Sequence, residues 1–268
     1  MKEYSIDANG ISFACVEAGS GPLLLLCHGT FGGKRLMLPL LRHLSRAYRC
    51  VAFDWRGHGQ SGFDAAGWTA DDLVDDVPAI IGALGETMAI IVGVSQGGAI
   101  GMRVALKYPQ LLSALVNMCG GPSGPPPAAA ERLDGYATIF AEEQDRTLRR
   151  AAAIEFASTY FHAPGFVERE PQRFADEIDV ILSHPRDTVR LLSGVPKSYV
   201  DITTRLGEIS CPTLILWAQY DARPHLGGDI AALIPGAQLV VIPNAGHHVN
   251  VDAPAETARA IDEFLQSI

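Results

Sequence analysis

The sequence predicts an α/β protein: a mostly parallel sheet with helices packed on both faces. Three observations lead there. Short apolar runs alternate with helix-like segments along most of the chain, the pattern of a sheet covered on both sides. The runs LLLL, AIIVGV and LVVI lack the period-two alternation of a half-exposed strand, which predicts burial on both faces. The alternation then fails once, between about residues 120 and 206, where helical patterns follow one another with no strand between them.

Taken in order, the strands are expected at residues 11–16, 23–27, 50–53, 89–94, 114–118, 213–217 and 238–242. A helix is expected over 71–84, where apolar residues at 73, 74, 77, 80, 81 and 84 form one stripe. The helix after Ser95 stops before Pro109. The last helix opens near Pro254 and places Ala258, Ile261, Phe264 and Leu265 on one face. The break begins with GGPSGPPP at residues 120–127, which suits neither strand nor helix. Helices are expected after it at 128–141, 145–160, 171–182 and 186–195. A helical block between two strands reads as a lid over the sheet edge. The expected organisation is therefore a core of residues 1–121 and 200–268 and a helical lid of residues 122–199.

Composition narrows the function. The chain has 268 residues, 48% apolar and 19% charged, an ordinary globular balance. A formal charge of -9 disfavours nucleic acid and anionic membranes as partners and says nothing more specific about them. The N-terminal MKEYSIDANG has no apolar signal core, and the apolar runs are too short to span a bilayer. Cys15, Cys27, Cys50, Cys119 and Cys211 show neither metal-ligand spacing nor a disulfide framework, so they read as small core residues in a reducing compartment. A soluble cytoplasmic protein without metal or cofactor is the expectation.

The chemistry concentrates in four loops. AIIVGV runs into Ser95 and then into a helical pattern, so Gly93-Val94-Ser95-Gln96-Gly97 is a G-x-S-x-G sequence in strand–turn–helix context. A sharp turn there lifts the serine hydroxyl clear of the backbone, and flanking glycines remove the Cβ atoms that would collide. The Gln96 amide then opens the next helix, facing a bound carbonyl. A nucleophilic serine needs a base, and the base needs a carboxylate to orient it. Asp221 follows the strand TLILWA, and His247 and His248 follow LVVIP, both at the same sheet edge as Ser95. Adjacent side chains of an extended loop diverge, so only one of the two histidines can face Ser95. His28-Gly29-Thr30-Phe31-Gly32-Gly33 follows LLLLC, and the Thr30 amide is the candidate second oxyanion donor. Lys34 and Arg35 read as the solvated start of a helix. In Asp54-Trp55-Arg56-Gly57-His58-Gly59-Gln60-Ser61, Asp54 and Arg56 can brace tight turns; His58 reads as structural, and Ser61 lacks a neighbouring base. His43, His162, His184 and His225 are assigned to the surface or the lid. Phe31 and the lid aromatics Phe140 and Tyr160 are the candidate substrate contacts.

With these motifs together, the chain resembles the α/β-hydrolase superfamily, in its compact lid-bearing branch. The matching pieces are H-G-x after the third strand, D-x-R-G-H-G-x-S, G-x-S-x-G-G, P-T-L-I-L-W-A-x-x-D, and G-H with Pro254 seven residues after His247. They cover about residues 10–121 and 200–268. The resemblance implies an eight-stranded, mostly parallel sheet with an initial antiparallel strand. It also implies a Ser95–Asp221–His247 triad, with His247 preferred over His248 by its spacing to Pro254, and oxyanion amides from Thr30 and Gln96. The expected activity is hydrolysis of a small to medium, partly apolar ester or lactone. Serine at the nucleophile position argues against haloalkane dehalogenases and epoxide hydrolases. Carbon–carbon bond hydrolases and cofactor-free perhydrolases would share the triad. Cofactor-free ring-cleaving dioxygenases place their acid after the sixth strand, where this chain has Asn117. A receptor that traps a small ligand unchanged is the non-enzymatic alternative.

Overall fold

A computed structural model describes residues 1–268. The N-terminal half contains β1 (Lys2–Ala8), β2 (Ile11–Ala18), β3 (Leu23–Cys27), α1 (Leu38–Leu44), β4 (Arg49–Phe53), α2 (Ala70–Ala83), β5 (Ala89–Val94), α3 (Gln96–Lys107) and β6 (Leu112–Met118). Five consecutive helices follow: α4 (Pro127–Glu142), α5 (Arg146–Tyr160), α6 (Phe166–Arg169), α7 (Pro171–Ser183) and α8 (Val189–Lys197). The chain then returns to the sheet with β7 (Thr213–Ala218), α9 (Leu226–Leu233), β8 (Gln238–Ile242), α10 (Val249–Asp252) and α11 (Pro254–Gln266).

All eight strands form one sheet in the order β1-β2-β4-β3-β5-β6-β7-β8. β3 to β8 run parallel, and β2 is antiparallel to both of its neighbours, β1 and β4. The antiparallel strand is thus the second and not the first. The residue pattern also gave no sign of β1: KEYSIDA is largely solvent-exposed at the sheet edge, so no apolar run marks it. LVVI differs from expectation as well. β8 is the opposite edge strand, and the face carrying Leu239 and Val241, 44% and 52% exposed, is left uncovered.

The central strands behave as their composition dictates. Every residue of β3, β5 and β7 is buried. α2 starts at a capping box in which the Thr69 backbone N–H donates to Asp72. From β3 the chain moves to β4 on one side and then crosses to β5 on the other. That reversal opens a crevice beyond the carboxyl ends of β3 and β5, where open α/β sheets bind ligands. The core is continuous from the sheet into the inserted helices, with Phe140, Phe156 and Ile178 in the same buried cluster as Leu24 and Val92. No helix is long and apolar enough to cross a membrane.

Candidate active site

Ser95 sits between β5 and α3 with φ 53° and ψ −113°, a region unfavourable for a residue with a Cβ. Two hydrogen bonds hold it there: its N–H donates to Met118 O at 2.8 Å, and its carbonyl accepts from Ala99 N at 2.9 Å. Glycine at position 97 is a packing requirement, since a Cβ there would lie 2.2 Å from Cys27 O. Gly97→Ala is expected to destabilise the fold by about 3 kcal/mol through overpacking. Urea unfolding checks this; an unchanged midpoint would remove the steric account of the turn. Positive φ also occurs at Phe31, Cys119 and Asn244, so strained backbone gathers in the loops around Ser95.

Asp221 follows β7 and His247 follows β8. His247 Nδ1 lies 2.6 Å from Asp221 Oδ2, and Asp221 Oδ1 accepts from the Arg223 N–H at 2.8 Å. Burial works against the Asp221 charge. The His247 hydrogen bond and charge, with the Arg223 amide and guanidinium, outweigh it and hold the carboxyl below its ordinary range. With Nδ1 committed to Asp221, Nε2 is the ring nitrogen left to serve a reacting group. Ser95, Asp221 and His247 line one cavity of about 370 Å3, together with Thr30, Gln96, Phe156, Tyr160 and Phe161. Ser95 and His247 face this shared space, and no direct hydrogen bond joins them.

The Thr30 N–H has no protein acceptor, and Gln96 is the first residue of α3, whose N–H has no intrahelical partner. The Thr30 hydroxyl donates to Gln96 Oε1 at 3.0 Å, tying the two loops together. Behind Thr30, His28 is buried and neutral. Desolvation pushes it down to about 4, and its Nε2 accepts from the Trp55 N–H at 3.0 Å. His184, expected at the surface or in the lid, is a buried residue of the insertion. Its Nδ1 accepts from Gly59 N at 3.1 Å and its Nε2–H donates to Phe31 O at 2.8 Å.

Several expectations need correction. Phe31 and Phe140 do not line the cavity: both are fully buried, and their rings pack edge-to-face 5.6 Å apart behind Phe156. Tyr160 does reach the cavity wall. Lys34 is not solvated; it is buried against Asp54 at 2.8 Å. Arg56 pairs instead with the buried Asp76 of α2. Ser61 is structural, donating to Asp54 O and accepting from Ala14 N. Asn117 is spent on the turn after β6, exchanging hydrogen bonds with both the N–H and the carbonyl of Gly120.

The sequence reading missed a buried network beside His247. His248 Nδ1 donates to Glu177 Oε1 of α7 at 2.6 Å, and the His248 N–H donates to Phe161 O at 2.9 Å. His162, assigned to the surface or lid, has a side chain only 1% exposed between two carboxylates. Its Nδ1 lies 2.5 Å from Asp252 Oδ1, and its Nε2 lies 3.0 Å from Glu177 Oε2 in a charge contact too misaligned to be a hydrogen bond. Asp252 also accepts from the N–H groups of Ala163 and Gly246, each at 2.8 Å. Gly246 must be glycine here, because a Cβ would lie 2.4 Å from the His162 backbone. The adjacent histidines therefore differ: His247 reaches Asp221, whereas His248 anchors the loop to the insertion.

All five cysteines are free and buried. Cys119 lies beside Asp221, and burial, then the Asp221 charge, pushes its thiol well above the ordinary range. Iodoacetamide at pH 8 is expected to leave all five unmodified in the folded protein and to alkylate them in urea. Mass spectrometry checks this, and modification of native Cys119 would contradict its assignment as an inert wall of the cavity.

The fold and these loops define a hydrolase. A family model described as alpha/beta hydrolase fold matches residues 22–254, and the chain belongs to that family. A curated relative, 2-(acetamidomethylene)succinate hydrolase of Mesorhizobium japonicum, is 27% identical, with 98% of this chain and 94% of the relative covered. A thermophilic esterase of Thermogutta terrifontis superposes with a TM-score of 0.89 at 26% identity, covering 100% of this chain and 99% of that one. An enol-lactonase of Burkholderia xenovorans shares the fold, with a TM-score of 0.87 at 21% identity over 98% of this chain and 100% of its own.

Proposed function

We propose that this enzyme hydrolyses small to medium, partly apolar carboxylic esters or lactones through an acyl-enzyme on Ser95. The carrying observation is the His247–Asp221 contact of 2.6 Å in the same cavity as the strained Ser95 turn. Ser95 Oγ attacks the substrate carbonyl carbon as His247 Nε2 takes its proton. The Thr30 and Gln96 amides receive the charge that develops on the carbonyl oxygen. His247 then returns the proton to the leaving oxygen, and water repeats the sequence in reverse to release the acid. Asp221 keeps His247 in the tautomer with its free nitrogen toward Ser95 and stabilises the imidazolium. Helices α4 to α8, within residues 122–199, serve as the lid that supplies Phe156 and Tyr160 to the cavity.

This reading is favoured over a ring-cleaving dioxygenase because Asn117, at the sixth-strand position, is a hydrogen-bonded amide and not an acid. A fluorophosphonate probe should label Ser95, and a panel of 4-nitrophenyl esters, lactones and diketones should show esters or lactones as the best substrates. Failure of the probe to label the folded protein would refute the acyl-enzyme, and preference for diketones would reassign the cleaved bond.

A further inference from the structure

The geometry points to an anion-binding subsite in the cavity, built on Arg132 and Arg223, that selects substrates carrying a carboxylate in addition to the scissile carbonyl. This deepens the hydrolase reading and rests on it. The formally charged residues of the cavity wall are Arg132, Arg223 and Asp221, and Asp221 is committed to His247 and the Arg223 amide. Both arginines are exposed residues of the cavity wall, and neither has a carboxylate within 4.0 Å, although the Arg223 charge acts on Asp221 from farther away.

They come from different parts of the chain. Arg132 lies on α4 of the insertion, with its guanidinium 5.8 Å from the centre of the Tyr160 ring. Arg223 follows the acid loop, and its guanidinium reaches back toward Gly121, where a Cβ would lie 3.1 Å from Nη1. The wall also includes Tyr199, whose hydroxyl is buried without a hydrogen-bond partner. Its ring lies over the buried Arg103 at 4.2 Å, and that guanidinium is satisfied by backbone carbonyls of Ala99, Pro122 and Val200 and by no carboxylate. Guanidinium groups present their N–H donors in a planar fork matched to carboxylate geometry. An apolar wall supplied by Phe156 and Phe161 beside this positive end fits a substrate with a short carbon chain and a terminal carboxylate.

The test compares 4-nitrophenyl hydrogen glutarate with 4-nitrophenyl pentanoate, which share the leaving group and chain length and differ in the terminal carboxylate. The wild type should favour the glutarate ester at least 10-fold in kcat/KM, and added salt should reduce the preference. Arg132→Met and Arg223→Met should each lower the ratio of the two kcat/KM values at least 10-fold, with partial recovery in Arg132→Lys and Arg223→Lys. A structural role alone would lower both esters together and leave the ratio unmoved. Calorimetric titration of glutarate dianion gives a readout independent of turnover: binding to the wild type and its loss in the two methionine variants. If no ester is turned over yet glutarate binds through the arginines, the hydrolase reading fails and the subsite stands. If both esters are hydrolysed without preference and glutarate does not bind, the subsite is overturned and the hydrolase reading stands.

Discussion

Ser95→Ala is expected to lower ester turnover by about four orders of magnitude or more, since the hydroxyl is the group that becomes acylated and the residual rate comes from the oxyanion donors and binding alone. Unfolding should barely change, because the Ser95 backbone is held by Met118 O and Ala99 N, and both bonds survive in alanine. Ser95→Gly separates the two properties of the position. It removes the same hydroxyl, so activity should fall equally. It also relieves a φ of 53° that disfavours any residue with a Cβ, so the fold should gain about 1 kcal/mol. The measurements are kcat/KM on a 4-nitrophenyl ester and the urea midpoint of each variant. Substantial activity in Ser95→Ala would remove the nucleophile assignment. A glycine variant less stable than the alanine variant would remove the argument that the turn stores strain against function.

What could be read from the sequence follows the range over which the physics acts. Strands buried on both faces announce themselves, and β3 and β5 occupy the expected residues. Ser95 was legible because its turn needs glycine at fixed, local offsets. Asp221 and His247 were legible because each ends a recognisable strand at the same sheet edge. β1 was not, since an exposed edge strand needs no apolar run. Phe31 and Phe140 were misplaced because an aromatic near a site packs inward as readily as it lines a cavity, and composition cannot tell the two apart. The His248–Glu177 and His162–Asp252 contacts were invisible for a stronger reason. Their partners are 71 and 90 residues apart in sequence, and each residue alone looks like an ordinary surface polar group.

That network carries the second large prediction. Glu177 is fully buried between His162 and His248. Burial alone would raise its carboxyl, but the hydrogen bond from His248 and the charge of His162 hold it far below the ordinary range. His162 is the counterpart. Burial opposes its charge, but Glu177 and Asp252 lift it to about 9, so it is an imidazolium at neutral pH. His248 is lowered by burial, Glu177 notwithstanding, and stays neutral. Glu177→Gln keeps the shape and removes one of the two charges that compensate His162. Breaking a buried pair by deleting one partner destabilises by about 3 kcal/mol or more, roughly 6–12 °C in Tm for a chain of this size. The pH dependence fixes the signs. His162 holds its proton more tightly folded than unfolded, so its contribution is complete below the unfolded value of about 6.5 and is lost as pH rises through about 9. Glu177 is depressed, so its contribution is present above the unfolded value of about 4.3 and is lost as pH falls toward its folded value. The wild-type Tm should therefore decline between pH 7 and 9.5, and Glu177→Gln should start lower and decline less over that interval. Because His248 adjoins His247 and anchors its loop to α7, the same variant should also lower kcat more than it raises KM. A Glu177→Gln protein with wild-type Tm, wild-type alkaline slope and unchanged kcat would show that the network neither stabilises the insertion nor positions His247.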